Sequence, residues 1–208
     1  MINHIWQKLY DKHLTRVCKK ANQKVSALAR ITRILPFHRR YIILKSFIES
    51  QFSYCPLVWM FCTRKMNHKI NYIHERALRL VYRDYDSSFE LLLEKDKSVT
   101  FHHRNIQALA VEMFRVKNKL TPTFMCDIFT YIETHDSFVI PKVNAVKMGK
   151  QCIRYFGPVI WNTMIPPHIK AKTSLEEFKS SIKKWTPKCK CKLCVTIIPG
   201  VGVVQIAE

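Results

Sequence analysis

The chain has 208 residues, 48% of them hydrophobic and 12% aromatic. That is enough apolar surface for one good core or two small ones, and too much for a disordered chain. Only four glycines are present, which argues against barrels, sandwiches and phosphate-cradling loops. Lys and Arg number 35 against 15 Asp and Glu, a formal charge of +20. A field of that sign draws polyanions, with nucleic acid the default partner.

The charge is uneven. Residues 1–83 carry 17 basic and 3 acidic side chains, residues 84–136 carry 6 and 9, and residues 137–208 carry 12 and 3. Two basic segments therefore flank a slightly acidic middle. Met1 to Tyr10 holds no secretory leader pattern. The longest apolar run, Phe52 to Cys62, is broken by Ser53 and Pro56 and is shorter than the about 20 residues a bilayer requires. The expectation is an intracellular protein, nuclear or cytoplasmic, with no membrane partner and its eight cysteines reduced.

The pattern is mostly helical. Val25, Leu28, Thr32 and Leu35 share one face of a helix from about Lys19 to Leu35, where Pro36 ends it or opens the next. Tyr41, Leu44 and Ile48 continue the helical period, with Arg39, Arg40 and Lys45 off the stripe. Gln51 to Phe61 is apolar on all sides and reads as a buried helix started or kinked by Pro56. Met66 to Tyr82 is the clearest helix, with Met66, Ile70, Ile73, Ala77 and Leu80 as its apolar stripe. Ser87 to Glu90 is a capping box before Leu91. Ser98 or Thr100 opens a helix to about Leu120, and Thr121-Pro122 opens a short one through Ile128 and Tyr131. Asp136 to Gln151 reads as a loop or short hairpin. Gln151 to Tyr155 reads as a strand, and Gly157-Pro158 as the start of a short helix. Pro166-Pro167 makes a stiff turn, and overlapping capping boxes at Thr173 and Ser174 begin a last helix to about Trp185.

Two groups of residues carry candidate chemistry. At about 100° per residue, Lys65, Lys69, Tyr72, Arg76, Arg79 and Arg83 fall within about 80° on one side of the Met66–Tyr82 helix. No acid lies in that stripe, since Glu75 is off it and Asp84 beyond it. Like charges at helical spacing repel by a few tenths of a kcal/mol each, so phosphate contact and a plain solvated face are the two readings. Cys189, Cys191 and Cys194 place three thiols in six residues among Lys188, Lys190 and Lys192. Nearby cations favour thiolate, the form that binds zinc. A fourth ligand would come from upstream, such as His168 or Cys152, or from another chain. The other reading is a reduced or redox-labile cluster, so no cofactor is fixed beyond zinc as a candidate.

The remaining motifs read as structural. Cys18, Cys55, Cys62 and Cys126 read as buried core thiols. His102-His103 sits in the first turn of a helix, where neighbours diverge by about 100°, and reads as capping or surface. Asp84-Tyr-Asp86 reads as a turn. No Walker loop, GxSxG or HExxH motif is present.

Several segments in order resemble the carboxy-terminal part of reverse transcriptases from non-LTR retrotransposons of the jockey-like broad group. They are Leu14 to Arg30, Ser50 to Met60, Lys69 to Tyr82 and Tyr85 to Leu92, then His102 to Ile106, Arg154 to Asn162 and Ser174 to Lys179, with the Cys189 to Cys194 ending. The resemblance spans roughly residues 11–202. It implies a thumb-like basic helical bundle over 1–84, a post-thumb helical region over 85–186 with an irregular or short β segment around 136–157, and a Cys-containing tail over 187–208. The family's catalytic palm and its endonuclease have no counterpart here, so the chain alone is expected to be inactive as an RNA-directed DNA polymerase. Its implied role is to hold a template–primer duplex, with no small-molecule substrate. Two other readings stand beside it: an independent zinc-dependent nucleic-acid-binding protein, and a non-functional helical remnant.

Overall fold

A computed structural model describes residues 2–143 and 152–187, with side chains from Asp11 onward. The chain is mainly helical, with one two-stranded antiparallel ladder among the described residues. No helix among them is long and apolar enough to cross a membrane.

Helix α1 runs from Ile2 to Ile31, about 45 Å at 1.5 Å per residue. Its start lies far ahead of the expected Lys19. Leu14, Cys18, Ala21, Val25 and Leu28 are buried, a 4-3-4-3 stripe that faces one neighbour along much of its length. That neighbour is α4, Arg64–Tyr82. Cys18 Sγ lies 4.0 Å from Met66 Sδ, Arg76 donates to Asn22 at 2.7 Å, and Arg83 donates to the Thr32 carbonyl at 2.8 Å. Both numbers rise together, so the two helices run in the same direction. Ile70, Ile73, Ala77, Leu78 and Val81 fill α4's buried face, while Met66 and Leu80 are only half-buried.

The chain returns between α1 and α4 through α2 (Phe37–Ile43), a π-helical turn (Leu44–Ile48), a 3-10 turn (Glu49–Phe52) and the four-residue α3, Pro56–Trp59. The expected buried helix over 51–61 is therefore a short turn whose Tyr54, Cys55 and Val58 face solvent. Cys55 adopts a left-handed conformation at φ 45° immediately before Pro56, which breaks any continuous helix. Arg40 is not on a solvent face as the spacing suggests. It is buried, and donates to the carbonyls of Val81 at 3.0 Å and Leu35 at 2.8 Å. A cation there satisfies acceptors where α1 and α4 end and helix dipoles favour positive charge.

Helix α5 spans Phe89–Lys95 and is capped by Ser88, one residue later than the expected box. Its Leu92 and Leu93, with Phe101, complete the first core. Helix α6, Phe101–Lys117, is capped by Thr100. Trp59 joins the first core and its neighbour Met60 the second. The second core is built on Ile106, Leu109, Ala110, Met113, Phe114 and Val116 of α6. After α7 (Thr123–Ile128), Tyr131–Ile132 pairs with Ser137–Phe138. Asn162 holds that hairpin by accepting from Phe138 N–H at 2.9 Å and donating to its carbonyl at 2.8 Å.

The strand expected at 151–155 is instead helical: α8 runs Ile153–Val159, with Pro158 inside it, and widens into a π turn over Ile160–Met164. Proline removes a donor near the helix end, and the looser turn absorbs that loss. Gly157 sits where an added Cβ would stand 2.5 Å from Met113 Sδ, so glycine permits α8 to approach α6. Pro166-Pro167 opens a single helical turn, α9 (Pro167–Lys170), and α10 follows over Leu175–Lys184. Phe178 of α10 stacks on Phe114 with ring centroids 4.3 Å apart, and Trp161 lies 6.0 Å away on the same ring.

Candidate nucleic-acid interface

Helix α4 positions the basic stripe. Thr63 caps it by accepting from Met66 N–H at 3.3 Å. At the other end Arg83 takes the left-handed conformation, φ 54°, that glycine usually supplies. Its side chain reaches the Thr32 carbonyl and so fixes the end of α1 beside the end of α4.

The six predicted contact residues share one side of this helix but differ in freedom. Lys65, Lys69 and Tyr72 are exposed, and neither lysine makes an ion pair among the described residues. Arg76 is half-buried and donates to neutral Asn22. Arg79 is committed elsewhere: it donates to Glu75 at 2.7 Å and also to the Tyr85 carbonyl. The stripe is therefore not free of acid. Glu75 is the i−4 partner of Arg79, and such pairs form across adjacent turns. Arg83 is bonded to α1 carbonyls and works as an internal tie.

Lys65, Lys69 and Tyr72, joined by Arg64 and His68, line an open groove of about 610 Å³ with no acidic side chain in its wall. Arg64 and His68 lie outside the six-residue stripe. The signal was present, since both lie one position from the stripe and no acid occupies the first turn of α4. Two cations in a first turn oppose the helix dipole by about 0.3–1 kcal/mol each, a local penalty that an anion at the groove would remove. Lys12, Thr15 and Arg16 of α1 border a second open concavity, together with Asp11.

The other candidates resolve as follows. Asp84 accepts from Ser87 N–H at 3.0 Å and Ser87 Oγ–H at 2.7 Å, and pairs with Lys95. Lys95 and Ser87 hold its carboxyl well below the usual range, and the segment is a turn. His102 is buried rather than on the surface. Burial pushes the Cys18 thiol up to about 11 and the Cys62 thiol up to about 12, as inert core thiols require. Of the four expected core thiols only Cys18 is buried; Cys62 and Cys126 are half-buried, and Cys55 is exposed. Cys189, Cys191 and Cys194 lie outside the described residues. Of their suggested upstream partners, His168 is exposed in α9 and Cys152 half-buried before α8. Among the described residues no group of three His, Cys, Asp or Glu is placed to hold a metal.

One polar cluster was missed altogether. Glu49 is 6% exposed and lies between Lys45 at 2.9 Å, Arg104 at 2.6 Å and the buried His74 ring at 3.3 Å. Lys45 also bonds Asp96 at 2.8 Å, which accepts from Tyr82 O–H at 3.1 Å. These groups come from four separate segments; Lys45 and Glu49 stand at i,i+4 spacing, and no local spacing announces the others. His74 Nε2 stands 3.3 Å from Glu49 Oε1, a polar contact off the ideal hydrogen-bond line.

No family model, curated protein or solved structure matches the chain.

Proposed function

We propose that the chain binds the phosphate backbone of a nucleic-acid duplex along α4, as the thumb and post-thumb part of a reverse transcriptase of the non-LTR retrotransposon kind. The observation that carries the reading is the acid-free groove of Arg64, Lys65, His68, Lys69 and Tyr72. Its cations stand on a helix anchored by Ile70, Ile73 and Ala77, so the charge is presented on a fixed surface. Contacts of this kind grip phosphate and sugar and carry no sequence preference. The role is to hold a template–primer duplex, with the chemistry supplied by a palm outside this chain. Such a role implies a nuclear or cytoplasmic location.

The test is a salt titration of binding to a labelled RNA–DNA duplex. Replacing Lys65 and Lys69 by Gln should weaken binding for all sequences alike. The slope of log K against log salt should become shallower by about 2, close to one unit per lost phosphate contact. Superimposable curves for wild type and variant would reduce the groove to a solvated surface.

A further inference from the structure

We infer that the α4 groove takes an unpaired nucleotide, its phosphates on Lys65 and Lys69 and its base stacked on Tyr72. The inference rests on the backbone-binding reading and adds to the duplex contact an unpaired nucleotide where a strand leaves the duplex.

Tyr72 is 53% exposed. A single exposed ring is ordinary on a protein surface, so exposure alone decides nothing. Its two neighbouring concavities decide it. Tyr72 and His68 border both the groove of about 610 Å³ walled by Arg64, Lys65 and Lys69 and a smaller cleft of about 160 Å³ lined by Asn67, Asn71, Glu75, Phe89 and Glu90. The first wall offers what phosphate needs. The second offers the Phe89 ring, the Asn67 and Asn71 amides and the Glu90 carboxylate, with Glu75 already paired to Arg79; amide and carboxylate oxygens accept from the N–H groups of a base edge. Lysines attract phosphate and Glu90 repels it, so the two concavities favour a nucleotide with its backbone toward the lysines and its base toward the cleft.

In a duplex both faces of a base are already stacked. An unpaired strand leaves a π-face open to an aromatic side chain. Tyr72 sits on a helix whose adjacent Ile73 is 2% exposed, so its backbone position is fixed. A strand that leaves a duplex beside the lysine groove meets both features in turn.

The experiment compares labelled single strands of equal phosphate count, one of deoxycytidine and one of abasic residues, by fluorescence anisotropy with the full chain. The deoxycytidine strand should bind at least about fivefold more tightly, the lower end expected for one aromatic–base stack. Tyr72→Ala should bring it to the abasic affinity and leave the abasic strand unchanged, while Tyr72→Phe keeps the difference. Circular dichroism melts of both variants should match wild type, because the ring is exposed. Equal binding of the two strands by wild type, or equal weakening of both by Tyr72→Ala, overturns the inference. The joint Lys65→Gln and Lys69→Gln variant should weaken both strands alike. If it weakens neither, the backbone reading falls, and the inference falls with it.

Discussion

Arg104 Nη1 donates to Glu49 Oε2 across 2.6 Å, joining the first turn of α6 to the 3-10 turn that leads out of the α2 segment. The carboxylate also receives Lys45 at 2.9 Å and is 6% exposed. Burial alone would raise its proton affinity. The contacts with His74 and the Arg104 guanidinium outweigh that, and hold the carboxyl well below the usual range. Removing one member of a buried ion pair costs about 3–5 kcal/mol, because the remaining charges lose their compensation. Arg104 and Lys45 keep 27% and 30% side-chain exposure, so the low end applies. Glu49→Gln should lower stability by about 3 kcal/mol in a urea melt. A loss below about 1 kcal/mol would show that the cluster contributes little.

His74 sets the pH response. Its ring is 1% exposed, between Phe89 at 5.7 Å and Phe101 at 4.7 Å. Burial lowers its proton affinity below the ordinary value, against the pull of Glu49. The unfolded chain then binds a proton below about pH 6.5 that the folded chain refuses. Stability should therefore fall as pH drops from about 6.5, by up to about 1.4 kcal/mol per pH unit. Glu49 acts in the same direction at lower pH. Its folded affinity is depressed, so its stabilisation is complete above about pH 4.3 and is lost on further acidification. His74→Leu should flatten the segment between about pH 6.5 and 5 in a series of thermal melts. An unchanged slope there would mean that His74 does not titrate on unfolding.

Ile73 packs in the first core on the same helix that presents the lysines. It is 2% exposed, so Ile73→Ala should cost about 2–5 kcal/mol through lost burial and a residual cavity. The remaining folded protein should still bind duplex with the wild-type salt slope. A variant of wild-type stability would place Ile73 outside the core.

What the sequence could convey follows from how far each interaction reaches. The α4 stripe was legible because Ile70, Ile73 and Ala77 repeat at helical spacing, and all three are buried. The helical character of the chain was legible for the same reason. The Arg79–Glu75 pair lies within reach of the i,i+4 rule, although Glu75 falls outside the stripe by angle. The burial of Arg40 was hidden, since its acceptors Leu35 and Val81 belong to different helices. So was most of the Glu49 cluster: Lys45 is its i,i+4 neighbour, but Arg104 stands 55 residues away and His74 25. The helix at Ile153–Val159 was obscured by Gly157-Pro158, which reads locally as a helix start but lies inside the helix, with Gly157 against Met113.

The last prediction separates basic residues that offer charge from those that do not. The predicted contacts Lys69, Arg76 and Arg79 occupy the same side of α4, and by spacing alone they are equivalent. The structure makes them unequal. Lys69 makes no ion pair among the described residues and lines the groove. Arg76 is held by a neutral amide, so its charge stays available to phosphate. Arg79 has its charge balanced by Glu75, in a pair whose side chains keep 24% and 29% exposure. A phosphate at Arg79 would have to displace that carboxylate, or approach it at close range. Each freely available cation that meets a phosphate contributes about 0.9 to the salt slope on duplex DNA. Lys69→Gln and Arg76→Gln should each make the slope shallower by about 0.9, whereas Arg79→Gln should leave it nearly unchanged. Stability should respond in the opposite order. Arg79→Gln loses the Glu75 pair and the bond to the Tyr85 carbonyl that orders the turn after α4, a loss of about 1 kcal/mol from exposed contacts of this kind. Lys69→Gln should stay within about 0.5 kcal/mol of wild type. Three salt titrations and three urea melts decide the matter. An Arg79→Gln slope as shallow as that of Lys69→Gln would mean that Glu75 releases the guanidinium to phosphate, and that the ion pair does not set the boundary of the binding face.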